Sequence, residues 1–300
     1  MQMTGVIVLD KPAGFTSFDA VAVLRKLTGE RKIGHTGTLD PMATGVLPML
    51  LGRATKAAAL LPDTCKSYEA GFEFGKATDT QDVAGKILSR DDVNITEGAL
   101  LKIVPAFTGD IWQIPPMYSA VSVNGKRLYD LARQGIEVER QRRQVTISNL
   151  EILSYDEPSR KGTMKVSCSK GTYIRTLIED MGRALGSTGG IMTGLRRTAA
   201  CGFTLEDSIT LDGLRELAER GGIESALSPV EKLFDYPKVN VSEAQEKRFL
   251  NGGELDMGRL KLPEISLHDG MPLKVYGSGF LGLGRADMEK SQIGILKLLK

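Results

Sequence analysis

Residues 66–74 read KSYEAGFEF, an alternation of period two. Tyr68, Ala70, Phe72 and Phe74 fall on one side, and Ser67, Glu69 and Glu73 on the other. Side chains repeat with that period only along a β-strand, and a one-sided apolar set means a strand half-buried on a core. Met164–Cys168 alternates in the same way, Val145–Ser154 has strand character, and Gly5–Asp10 (GVIVLD) reads as a buried strand. Between these strands the period changes. Ile174, Leu177, Ile178, Met181 and Leu185 stand at i, i+3, i+4, i+7 and i+11, the stripe of an amphipathic helix, with Gly186 at its end. A fold of mixed α/β class, of the α+β type, follows from this mixture.

The remaining elements fit the same class. Lys11–Gly14 reads as a turn. Thr16 and Asp19 have capping-box spacing, followed by a helix whose apolar face is expected to hold Phe18, Val21, Leu24 and Leu27, with Gly29 as C-cap. Residues 91–107 read as a helix anchored by Ile95, Leu100, Leu101 and Val104 and ended near Pro105. Thr210–Arg220 reads as another. Residues 114–143 read as a surface excursion with a hairpin at Asn124-Gly125 and a short helix. A boundary is expected near Asp235-Tyr236-Pro237, giving a large domain over 1–236 and a small β module over 237–300 that begins with a helix around Ser242–Leu250.

Several function classes lose support. Net charge is +2 over 300 residues, so a nucleic-acid surface must come from local clustering. Within 114–143 the cations Lys126, Arg127, Arg133, Arg140, Arg142 and Arg143 outnumber Asp130, Glu137 and Glu139. Other cation pairs, including Arg196-Arg197, read as solvated faces or as phosphate contacts. Cys65, Cys168 and Cys201 are odd in number and form no C-x-x-C pair, which argues against a disulfide framework or a zinc site and fits a reducing cytoplasm. MQMTGVIVLDK has no signal-peptide pattern, and no apolar run approaches the roughly 18 residues of a membrane helix. Gly277–Gly282 fits G-x-G-x-x-G but lacks the following helix and the acidic residue further on, so it reads as a glycine-rich hairpin. Two histidines, His35 and His268, supply little metal or triad chemistry.

The stretch GHTGTLDPMATG, residues 34–45, is too glycine-rich for a helix and too polar for a core strand. Taken alone, Asp40 before Pro41 reads as a turn start and His35 as a loop histidine. The density of Gly34, Gly37, Gly45 and three threonine hydroxyls instead suits close approach of a ligand, with Asp40 as nucleophile or base. Tyr68 taken alone is a core aromatic.

Five blocks in order resemble the TruB family of tRNA pseudouridine(55) synthases. They are DKPAGFTS (10–17), GHTGTLDPMATGVLPMLLGRATK (34–56), TDTQDVAG (78–85), PPMYSAVSVNGKRLYDLARQG (115–135) and SKGTYIRTLIEDMGRALG (169–186). The resemblance implies a pseudouridine synthase fold: a mixed, largely antiparallel sheet with flanking helices and a PUA-like C-terminal β module. It implies conversion of a uridine in the T-loop of tRNA to pseudouridine, by base flipping, cleavage of the glycosidic C–N bond, rotation of uracil and C–C bond formation, without cofactor or metal. By the same resemblance Asp40 is the catalytic carboxylate, Arg175 its charge partner, and Tyr68 the aromatic that stacks on the flipped base. Tyr173 and Leu195 line the uracil pocket, and His35 meets displaced nucleotides. Lys11, Asp82, Lys126 and Arg127 are expected among the RNA-binding residues, the last two on a thumb-like insertion over 115–143. The expected partner is the tRNA T-arm, and the chain is expected to be a cytoplasmic monomer. One segment departs from the family pattern: STGGIMTG between Gly186 and Leu195. Two rivals are a tRNA folding aid with no catalysis and a glycoside hydrolase using Asp40 with Asp82 as second carboxylate.

Overall fold

A computed structural model describes residues 3–62, 65–262 and 265–300. Apart from short 3-10 turns, the chain begins β1 Gly5–Lys11, α1 Ser17–Thr28, β2 Ile33–His35, β3 Thr44–Leu51, β4 Lys66–Phe74, β5 Lys76–Thr78 and β6 Ile87–Arg90. It continues α2 Glu97–Ile103, β7 Gly109–Gln113, β8 Ser122–Val123, β9 Lys126–Arg127, α3 Leu128–Arg133, β10 Arg143–Asp156, β11 Lys161–Cys168, α4 Ile174–Ala184 and β12 Gly190–Ala200. Then come β13 Phe203–Thr204, β14 Ile209–Thr210, α5 Leu211–Glu219, β15 Lys238–Asn240 and α6 Glu243–Leu250. The last strands are β16 Leu255–Asp256, β17 Pro272–Tyr276, β18 Phe280–Asp287 and β19 Gln292–Leu298. Two compact units result, one of residues 1–40, 47–62 and 201–300, the other of 41–46 and 63–200. These limits differ from the expected break at 236.

In the second unit the strand order is β12, β4, β11, β10, β7, with the first residues of β3 on the far side of β12. All these pairings are antiparallel except β12 with β3, which is parallel. The alternation in β4 does what its period demands: Tyr68, Ala70, Phe72 and Phe74 are all buried. The rings of Phe72 and Phe74 lie 4.8 Å apart, and that of Tyr155 6.1 Å from Phe72. Burying each such ring contributes about 1.5–3 kcal/mol. Helix α4 places Leu177, Ile178 and Met181 in the same core, fully buried. It sits so close to the start of β12 that a Cβ on Gly182 would lie 2.3 Å from the carbonyl carbon of Gly189. The STGG turn is held by Asp91, whose carboxylate accepts from Ser187 Oγ at 2.9 Å and Thr188 N at 2.5 Å. Burial opposes ionisation of Asp91, but the Thr188 and Val93 amides, Ser187 and Arg160 together hold it below the usual carboxylate range.

In the first unit β1 pairs parallel with β14 and lies beside β3, and β2 pairs antiparallel with β3. Helix α1 has the expected capping box, Thr16 with Asp19, and Gly29 at φ 69° closes it. Its buried stripe is Ser17, Ala20, Val21 and Leu24. Phe18, expected on that face, is instead 71 % exposed, because it stands about 100° around the helix from Ser17. The same unit holds a five-stranded sheet in the order β15, β17, β18, β19, β16, with a core of Val239, Phe249, Leu273, Val275, Leu281 and Ile293. The G-x-G-x-x-G run links β17 to β18, as expected of a hairpin. Ser278 donates through its amide and hydroxyl to Glu246 of α6, at 2.7 and 2.8 Å. With Lys300 and Ser278 donating to it, the Glu246 carboxyl is held down at about 2.

Two further expectations need correction. The helix expected over 91–107 is confined to Glu97–Ile103, because Thr96 caps it, accepting from Ala99 N, and Asp91 is occupied by the STGG turn. Arg197, expected on a solvated or phosphate-facing pair, is fully buried, and its Nε donates to Val46 O at 2.6 Å.

Candidate active site

Of the residues singled out by sequence, Lys11, His35 and Asp40 belong to the first unit, and Tyr68, Asp82, Lys126, Arg127, Tyr173, Arg175 and Leu195 to the second. In the first unit the DKPAGFTS block builds a tight turn. Lys11 is fully buried, and its ammonium donates to Pro12 O at 2.8 Å and Phe15 O at 2.6 Å. These bonds close the turn from inside. At the end of the turn, the Ser17 hydroxyl accepts from Leu39 N at 3.0 Å and lies 3.4 Å from Leu39 O. Leu39 is buried, so the residue before Asp40 is fixed by both packing and a hydrogen bond. Asp40 itself is half-buried. His35 ends β2 opposite Met49, and Thr36 N donates to Pro48 O at 3.1 Å. The motif is thus laced along β3 on one flank and tied to α1 on the other.

In the second unit Arg175 is buried near the start of α4. Its Nη1 donates to Thr80 O at 2.9 Å and its Nη2 to Tyr118 O at 3.0 Å. Asp82 Oδ2 lies 3.9 Å from Nη1, with both side chains buried. The guanidinium therefore joins the TDTQD loop to the base of the 114–143 excursion. Asp82 also accepts from Thr80 Oγ1 at 2.6 Å and Ala84 N at 3.0 Å. So placed, Asp82 organises its own loop.

Gln81, between them, was not singled out by sequence. It holds φ 61°, a conformation that non-glycine residues seldom adopt. Its backbone is pinned to β12 by Met192 N donating to Gln81 O at 3.0 Å. Its side chain accepts from Thr176 Oγ1 at 3.0 Å and donates to Glu179, both on α4. Glu179 in turn accepts from Arg183 at 2.6 Å. Its neighbour Asp180 is pushed up to about 6 by burial and by the Glu179 charge, against Arg183.

Tyr68 lies between Val166 of β11 and Arg197 of β12, and Leu195 pairs with Ala70. By strand alternation Tyr68, Ala70, Leu195 and Arg197 share one face of the sheet. Gly45 makes this edge possible: at φ +101°, a Cβ there would lie 2.2 Å from Arg197 O. The peptide of Tyr173 is bracketed by Gln113, which accepts from Tyr173 N at 3.0 Å and donates to Tyr173 O at 3.2 Å. Lys126 and Arg127 are exposed on β9, where Asn124 and Gly125 turn the hairpin with φ 51° and 79°. Tyr129 sits with the guanidinium groups of Arg127 and Arg133 at 5.9 and 5.5 Å from its ring. Among the described residues no group of three or more His, Cys, Asp or Glu could hold a metal ion. Nor is any helix among them long and apolar enough to cross a membrane.

Solved structures with this fold include multi-component assemblies. A Cbf5-Nop10-Gar1 complex matches at TM-score 0.76 and 29 % identity, over 99 % of this chain and 85 % of that one. An H/ACA RNP bound to a substrate RNA containing 2′-deoxyuridine matches at TM-score 0.75 and 26 % identity, with the same coverage. The sequence matches the family model of TruB family pseudouridylate synthase (N terminal domain) over residues 25–174. It matches that of the tRNA pseudouridylate synthase B C-terminal domain over 175–235. Proteins called tRNA pseudouridine synthase B from Cupriavidus metallidurans and Clostridium tetani are each 43 % identical to it. Both alignments span 99 % of this chain, and they cover 94 % and 100 % of those proteins. The chain belongs to the TruB family of pseudouridylate synthases and is an isomerase.

Proposed function

We propose that this enzyme converts the uridine at position 55, in the T-loop of tRNA, to pseudouridine, with Asp40 as its catalytic carboxylate. The observation that carries the reading is the end-to-end match to relatives named tRNA pseudouridine synthase B. The reaction breaks the bond between ribose C1′ and uracil N1, rotates the base, and joins C1′ to C5. The proton leaves C5 and N1 gains one, so atoms and charge balance without an outside oxidant or reductant.

Asp40, ionised, attacks the ribose or the uracil ring or stabilises a sugar cation. Its fixed neighbour Leu39 and the Ser17 bond to that residue support a positioned carboxylate, which catalysis needs and a flexible turn does not provide. Arg175 is the cation that the family resemblance pairs with it, and a guanidinium in that role keeps a carboxylate ionised. Tyr68 supplies the aromatic face for the flipped base, an interaction of about 1–3 kcal/mol that offsets lost stacking in the RNA. Tyr173 and Leu195 line the base pocket, His35 contacts displaced nucleotides, and Lys126 and Arg127 contact phosphates.

The reading is tested by incubating the enzyme with an unmodified tRNA transcript and mapping pseudouridine by carbodiimide labelling and primer extension. A single new stop at position 55 is expected. Stops elsewhere with none at 55 contradict the assigned target, and no stop at all favours the folding-aid reading.

A further inference from the structure

The chain has one tryptophan, Trp112, and it lies outside every core. It stands on β7, the last strand in the order of its sheet, opposite Gln144 of β10, and is 55 % exposed. The Arg142 guanidinium lies over the indole, 4.8 Å from the ring centroid. Ile114, just past the end of β7, is 51 % exposed. The acid on the Trp112 side of β7, Asp110, is occupied: it accepts from Thr146 Oγ1 at 2.7 Å and Gln144 Nε2 at 3.3 Å. A single exposed tryptophan would mean little. Here the indole carries a cation at the root of the 114–143 segment, where six Lys and Arg face three acids.

We propose that Trp112 and Arg142 form an RNA-contacting platform, separate from the residues assigned to the base pocket. Arg142, laid on the indole, donates to a backbone phosphate, and the exposed part of the indole packs on the adjoining ribose or base. Stacking on an aromatic ring fixes the planar guanidinium before binding, so less freedom is lost when it meets the phosphate. Arg142 on the ring, in a segment whose cations outnumber its acids, matches a phosphate backbone and not an apolar protein surface. This inference rests on the RNA-modifying reading above.

Because Trp112 is the sole tryptophan, its emission reports this platform alone. The full chain is titrated with a fluorescein-labelled T-arm hairpin, with anisotropy measuring binding and tryptophan emission the platform. A change in emission that follows the anisotropy curve is expected. Arg142→Gln is expected to weaken Kd about 3- to 10-fold and to lower the slope of log K against log salt by about 0.9. Trp112→Phe keeps a ring and is expected to lose less than Trp112→Ala. Unchanged emission at saturation, or an unchanged Kd and salt slope for Arg142→Gln, overturns the platform. So does emission that moves with protein concentration in the absence of RNA, which marks a contact between copies. If the wild-type chain neither binds the hairpin nor modifies it, the RNA-modifying reading fails and the platform with it. Normal binding and turnover beside silent emission overturn the platform alone.

Discussion

A buried guanidinium costs stability unless its donors find acceptors, and among those of Arg175 are the carbonyls of Thr80 and Tyr118. The Thr80 carbonyl stands in the TDTQD loop, which Gln81 holds in a left-handed turn and ties to α4 through Thr176 and Glu179. Gln81→Ala keeps the strained backbone and removes both side-chain hydrogen bonds, which is expected to cost about 1–3 kcal/mol of stability in urea unfolding. Gln81→Gly removes the same bonds but relieves the conformation, and is expected to recover about 0.5–1 kcal/mol of that loss. Equal losses for the two variants would show that the left-handed turn stores no strain. At this scale the sequence was informative about chemistry and silent about support. Asp40 and Arg175 stand in blocks that resemble a family, and Tyr68 in a strand whose alternation is clear. Gln81 stands in one of the same blocks, but its part depends on a φ of 61° and on partners 95 and 98 residues away, which no local pattern records. Arg197 misled for a related reason: charge predicts exposure, yet this side chain is fully buried and its Nε donates to a backbone carbonyl inside the protein.

Strands and helices show the same division. β4 and α4 were legible because one face of each is apolar at a clean period. β3 was not, because its residues are buried on both sides and Pro48 interrupts the strand signal. β12 was masked by Thr193-Gly194 and by two arginines in its middle. The helix over 91–107 was overextended because apolar spacing continues past the Thr96 cap that begins it. Gly45 marks where β3 and β12 come closest. Gly45→Ala is expected to destabilise by about 2–4 kcal/mol, from the 2.2 Å approach to Arg197 O and the positive φ together. A urea midpoint within error of wild type would contradict that packing. On α4, Asp180 has a folded-state pKa of about 6, above its ordinary value of 3.8. The folded protein therefore binds this proton more tightly than the unfolded chain, and stability falls as pH rises from about 4 to about 6 and stays lower above that. Asp180→Asn is expected to gain about 1 kcal/mol at neutral pH, allowing for solvent screening, and nothing near pH 3.5. A gain equal at both pH values would assign the effect to something other than ionisation.

For the whole molecule, a mixed and largely antiparallel sheet was expected and is present, and so is a separate β sheet near the C-terminal end. The division into units was not legible, since it follows contacts and not composition: the GHTGTLDPMATG block lies where the chain passes from one unit to the other, between Asp40 and Pro41. That block looks like a turn until the rest of the chain is read with it. The proposal on which the others depend is that Asp40 makes this fold a uridine isomerase. It is tested most directly by tritium release from a T-arm hairpin carrying uridine labelled at C5, measured for the wild type and for Asp40→Asn under single-turnover conditions. Release by the wild type is expected. A loss of at least about 10³-fold is expected for Asp40→Asn, with hairpin affinity retained. Release by Asp40→Asn at a rate near that of the wild type would contradict it.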